Sequence, residues 1–151
     1  KTVTSLLKAA GYVTGGAGKW ALGDVGTSGH PNNQGFDHWF GALCQRVAHN
    51  YYPTHLWRND ERDMLPGNEL FFKAHQKVKA PLATEQEYWD RFTRGTWACD
   101  AIIDEADDWM RAQIDAQQPF LLVYASPVPH LALQVPPERL EQFDGMDEAT
   151  K

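Results

Sequence analysis

A single lysine stands near the end of "GYVTGGAGKWALG", residues 11–23, where five glycines leave much of the backbone bare. Glycine at that density lets a chain pass close to a neighbour or take angles that other residues avoid. An ammonium group at the end of such a stretch, Lys19, is suited to meeting an anion. An ordinary surface charge is the plainer account of the same residue. His130 stands in "SPVPHLALQVP", where Pro127 and Pro129 fix the backbone just ahead of it. Its imidazole is the kind of side chain that moves a proton near neutral pH. His49, in "RVAHNYYP", has aromatic neighbours. It either packs against Tyr51 and Tyr52 or reaches a polar site.

Other chemistries fail on spacing. A phosphate-binding Walker loop needs glycine five residues before its Gly-Lys pair and Ser or Thr after it. Val13 and Trp20 hold those places. Gly16 to Ala21 satisfies a relaxed dinucleotide pattern, but Gly23, Gly26 and Gly29 follow, so no helix offers its N-terminus to a pyrophosphate. The six histidines include no HExxH and no close pair at helical ligand spacing. His30, His38 and His75 read as loop or surface residues, and His55 as part of the aromatic cluster near His49. Cys44 and Cys99 form no CxxC. Two buried thiols are the simple account of them, and a disulfide is the alternative.

The elements that must carry Lys19 and His130 are legible in outline. Residues 2–10 put Val3, Leu6, Leu7 and Ala10 on one helical face, with Gly11 where a left-handed cap is wanted. Tyr12 to Ala17 reads as a short strand with Lys19 just past its end. Residues 23–81 are turn-rich; within them "GFDHWFG" reads as a short strand and "HLWRNDERDMLPGN" as a hairpin. A long amphipathic helix is expected from Thr84, which forms a capping box with Glu87. Its apolar face runs through Trp89, Phe92, Cys99, Ile102, Ile103, Ala106, Trp109, Met110 and Ile114. Glu87 with Arg91, Asp90 with Arg94, and Asp107 with Arg111 add i,i+4 pairs. Pro119 ends that run, "FLLVYAS" reads as a strand buried on both faces, and "VPPERLEQF" as a last short helix. Helix, strand, long insertion, helix, strand is an α/β pattern with a mostly parallel sheet. Ligands of such sheets bind beyond the carboxyl ends of the strands, where Lys19 and His130 both fall.

Length and composition fit one globular domain: 151 residues, 42% hydrophobic, with six tryptophans. A formal charge of −6 argues against a nucleic-acid partner. No apolar run reaches the roughly 20 residues of a membrane span, and the opening residues do not read as a signal peptide. Both ends read as cut, since the chain starts inside a helix and trails off in "FDGMDEATK".

"AGYVTGGAGKWALG", then "PNNQGFDHWFG", "AHNYYPTHLWRN" and "PFLLVYASPVPHLALQVP", in that order and spacing, resemble the sulfatase family. These are the formylglycine-dependent members of the alkaline phosphatase superfamily. The resemblance implies an alkaline phosphatase-like α/β fold, with residues 1–151 as the central part of one catalytic domain. It implies a sulfuric ester hydrolase acting on a sulfated small molecule or glycan, with calcium and a formylglycine as cofactors, and export to the periplasm or cell exterior. By motif, Lys19 binds a sulfate oxygen and His130 contacts the sulfate and its leaving oxygen, the glycines letting the chain approach that pocket. The formylglycine comes from a Cys-x-Pro/Ala-x-Arg motif, whereas Cys44 is followed by "QRVA" and Cys99 by "DAII". The paired aspartates that hold calcium are missing too, and Asp107-Asp108 reads as a solvated helix face. Most of the family has histidine where this chain has Ala21, a residue that orients or deprotonates the formylglycine hydrate. His49 is the expected substitute for it. Two rivals stay open: a phosphoesterase or phosphonate hydrolase of the same superfamily, and a non-catalytic relative that binds sulfated glycans.

Overall fold

The computed structural model describes residues 1–68, 95–130 and 135–145. Its centre is β1 (Val13–Lys19), flanked by β2 (His38–Ala42) on one side and β5 (Phe120–Ala125) on the other, both parallel to it. β3 (His55–Arg58) runs antiparallel to β2, and β4 (Glu61–Met64) antiparallel to β3, as the expected hairpin. The order is therefore β4-β3-β2-β1-β5, with every strand but β3 pointing one way. This is the mostly parallel α/β sheet the sequence pattern implies.

The glycines of β1 serve its neighbours. A Cβ on Gly15 would sit 2.7 Å from the Trp109 ring, and one on Gly18, at φ +113°, would sit 1.9 Å from the Ala125 carbonyl oxygen. Close contact with a helix and with the adjoining strand, more than approach to a ligand, is what excludes side chains here. Successive residues of a strand face opposite sides of the sheet. So α2 (Ala98–Asp115) covers one face, while Phe36, Trp39 and Leu43, joined by Trp20 and Trp57, cover the other.

Helix α1 (Val3–Ala9) opens on a reciprocal capping box between Thr2 and Ser5, and Gly11 follows it at φ +89° as expected. Its inward residue is Thr4, whose hydroxyl donates to the Gln34 carbonyl. Val3 and Leu6 are 69% and 54% exposed, so the apolar face expected to be buried is open to solvent. The Thr4 bond ties this helix to the loop, and Leu7 is the one partly buried residue of the apolar face.

Helix α2 begins only at Ala98, after an extended Trp97. The Thr84–Glu87 capping box, Trp89, Phe92, the Glu87–Arg91 and Asp90–Arg94 pairs and His75 lie outside the described residues. Cys99, Ile102 and Ala106 are buried by α2, the last two in one cluster with Ala17, Phe40 and Leu56 of the sheet. Ile103 and Ile114 face solvent. The Asp107–Arg111 pair forms at 2.7 Å on the surface, where such pairs add little. β5 departs from expectation: Val123 and Tyr124 are exposed, and among the described residues β5 pairs with β1 alone. Residues 137–140 form the short α3 (Pro137–Leu140). Cys44 is exposed, Cys99 is buried, and both are free thiols. Burial pushes the Cys99 thiol up to about 12.

His38 and His30 are not surface residues. His30 is buried with Nε2 3.2 Å from the Asn59 carbonyl oxygen. His38 Nε2 meets the Glu105 carboxylate at 2.9 Å, and Arg58 pairs with the same group, so α2 is tied to β2 and β3. The His38 contact, against the opposing effect of burial and with help from Arg58, holds the Glu105 carboxyl down at about 2. A carboxyl depressed on folding stabilises the fold above its ordinary range and stops doing so as pH falls through the folded value. Relative to Glu105→Gln, the natural chain is expected to be more stable by on the order of 2 kcal/mol at neutral pH. That difference should shrink between about pH 5 and pH 2. Urea unfolding of both chains across that window measures it, and a pH-independent difference would refute it.

Candidate active site

The carboxyl ends of β1, β2 and β5 lie side by side, with Gly18 opposite both Gly41 and Ala125, and Lys19 opposite Ala42. Lys19 ends its strand half-buried, held there by the residue after it. The Trp20 backbone N–H donates to the Ala42 carbonyl at 2.8 Å, and its indole N–H donates to the Gly29 carbonyl, also at 2.8 Å. The Trp20 ring meets Phe36 and Trp39 edge-on. Salt bridges among the described residues engage Lys8, His38, Arg58, Arg111 and Arg139, and Lys19 is not among their members. Lys19 is one of the residues lining a small recess, together with Ala42, Asn50, Tyr51 and Pro127.

The segment after β2 supplies the other wall. A 3-10 turn, Val47–His49, carries His49 inward to a buried position. Asn50 brackets the next residues, accepting the Tyr52 backbone N–H at 3.0 Å through its side-chain oxygen. The Tyr51 carbonyl accepts the Ala98 N–H at 2.8 Å, which locks this segment to the start of α2. The Tyr51 hydroxyl donates to the Pro127 carbonyl at 3.1 Å and accepts the His130 backbone N–H. Burial raises the Tyr51 phenol above its ordinary range, so it remains a donor at neutral pH. His130 itself lies half-buried with its ring stacked on that of His49, centroids 3.4 Å apart and planes 9° from parallel.

All three residues singled out in the sequence thus gather at one end of the sheet. His49 and His130 are in ring contact, and Lys19 shares its recess with the two residues that hold the His130 segment. His49 stacks on His130, which the simple aromatic-packing account does not anticipate. His55 stays apart on β3, edge-on to Trp57, with burial and then Arg62 lowering its pKa. Tyr51 is the functional candidate that sequence reasoning passed over. Its pattern, "HNYYP", signals aromatic packing, and nothing local announces a bond to a carbonyl 76 positions along. Ala21 lies exposed just past β1.

A lysine ending a strand at the same end of the sheet as an imidazole pair is a combination suited to an oxyanion ester: a cation draws negative oxygen, and an imidazole hands a proton to a leaving oxygen. Among the described residues no three His, Cys, Asp or Glu side chains cluster to hold a metal, so they do not fit a calcium site. Neither Cys44 nor Cys99 has the flanking residues of the cysteine that becomes formylglycine.

The family model "Sulfatase" matches residues 1–151. Human Arylsulfatase G is 58% identical over 141 residues, covering 89% of this chain and 26% of that protein. The chain therefore spans about a quarter of the length of the curated relatives it matches. Among solved structures, the crystal structure of Ps i-CgsB aligns with TM-score 0.62 at 22% identity, covering 95% of this chain and 30% of that one. BT4656, solved in complex with its substrate D-glucosamine-2-N,6-O-disulfate, aligns with TM-score 0.59 at 24% identity, covering 95% of this chain and 22% of that one. At those identities the structural likeness concerns the fold, which is alkaline phosphatase-like.

Proposed function

The chain belongs to the sulfatase family, and from that premise we propose that it is the central part of a catalytic domain that hydrolyses sulfate esters. The observation that carries this is that Lys19 ends β1 beside the carboxyl ends of β2 and β5, the strands whose following segments bring His49 and His130 into ring contact. Sulfated carbohydrates and aryl sulfates are the proposed substrates. A sulfated glucosamine is the substrate of one structural neighbour, and Arylsulfatase G is among the curated relatives.

Lys19 binds a sulfate oxygen, and its fixed ammonium gains in strength as negative charge builds there. The sulfuryl group passes to a nucleophile from another segment of the parent, and as the ester S–O bond breaks its electron pair moves to the alcohol oxygen. His130 gives that oxygen a proton, so the group leaves as a neutral alcohol. His49, against the His130 ring, is the base for the step after the alcohol has left. The formylglycine and calcium implied by family membership would come from other segments of the parent protein, and no step is assigned through them.

The intact parent is expected to release sulfate from 4-nitrophenyl sulfate and from a sulfated glucosamine. The 151-residue chain alone is expected to release no more than a heat-denatured control. Turnover by the isolated chain would refute its dependence on other segments. A parent that hydrolyses phosphate esters and leaves sulfate esters intact would overturn the substrate class. Binding of sulfated glycans without turnover would overturn the catalytic reading.

A further inference from the structure

We propose that Tyr51 is a positioning residue for His130, its phenol oxygen clasping the 127–130 segment so that the imidazole is held against His49. The inference rests on the role given to His130 above. Tyr51 is 2% exposed and is itself fixed, its carbonyl bonded to the start of α2 and its ring edge-on to Trp97. The segment it grips is short of donors. Pro127 and Pro129 have no N–H, which leaves those of Val128 and His130. The Val128 N–H goes to the Ser126 hydroxyl at 3.2 Å, and the His130 N–H goes to Tyr51. A phenol has one proton to give and lone pairs to receive. Here the proton goes to the Pro127 carbonyl and a lone pair takes the His130 N–H. One oxygen thus spans both ends of the segment, and its loss frees the residue that must meet the leaving oxygen.

The test is Tyr51→Phe in the intact parent, which keeps the ring and removes the oxygen. Hydrogen exchange of the peptide containing His130 should quicken, while the melting temperature stays close to that of the natural protein. Turnover of a sugar sulfate should fall about 10-fold with KM little changed, since small misplacement of a reacting group is costly. Turnover of 4-nitrophenyl sulfate should fall less, because nitrophenolate leaves with little need of a proton. In a His130→Ala background the Tyr51→Phe effect on turnover should vanish. Unchanged exchange would overturn the clasp, as would an equal loss on both esters or an effect that persists without His130. Global unfolding of Tyr51→Phe would mark a structural residue and also overturn the proposal. If His130→Ala alone proves harmless, the reading of the site fails, and the exchange result still decides whether the clasp exists.

Discussion

Lys19→Ala and His130→Ala, each made in the intact parent, are expected to lower sulfate-ester turnover by about 100-fold or more. The size follows from what each would remove. The bonds of Trp20 anchor the backbone next to Lys19 at the strand end, so the lysine's attachment point is held at the sheet edge. Losing a preorganised charge or donor of that kind raises the barrier by roughly 3 kcal/mol. His130 differs in what it does, so the two losses should differ in profile. Lys19→Ala should slow aryl and sugar sulfates alike, because the sulfate is common to both. His130→Ala should spare activated aryl esters and penalise sugar sulfates, whose alkoxide leaves poorly without a proton. Arg111→Ala, on the exposed side of α2 and paired only with Asp107 among the described residues, serves as the control and should change neither rate. Near-normal rates for both site variants would show that the motif roles do not transfer to these positions.

The sequence carried the strands and the ends of this site further than it carried the helices. β1, β2, the β3–β4 hairpin and Gly11 were legible because strand runs and turn residues leave strong local marks. Lys19 and His130 were legible as a pair because both follow strands of one parallel sheet, a rule of topology that needs no contact information. The failures share a different cause. Val3 and Leu6 have helical spacing and are exposed, yet Thr4 faces inward with its hydroxyl bonded to Gln34, a long-range bond that spacing does not show. The helix expected from Thr84 does not run through Trp97, which is extended; the observed helix starts at Ala98, whose N–H donates to the Tyr51 carbonyl. The continuous apolar run of β5 suggested two covered faces, but among the described residues Val123 and Tyr124 are open to solvent. His38 looked like a loop residue until Glu105, 67 positions away, supplied its partner. In several of these cases a long-range polar bond overrode a sound local signal.

Replacing His49 is expected to separate release of the alcohol from completion of the cycle. His49 stands ring to ring with His130 at 3.4 Å. Two positive charges at that distance repel strongly, whereas one ring giving a proton while the other takes one does not place them together. The pair is thus suited to opposite duties in successive steps, with His49 as the base in the second. Ala21 sharpens the need, because the residue that usually does this work in the family is absent there. His49→Ala should release about one equivalent of alcohol per enzyme at close to the normal rate, then stall. The steady rate should fall by about 100-fold, the usual loss when a positioned base is removed. His49→Phe guards against a trivial cause, for it leaves a flat ring against His130 and takes away the site for the proton. If His49 is the base, the two variants behave alike. If His49 only packs against His130, Phe restores the steady rate that Ala loses, and the burst is slowed in the Ala variant. Rapid-quench measurement of alcohol release over the first turnover distinguishes the two, and an unchanged steady rate in His49→Ala would remove His49 from the mechanism.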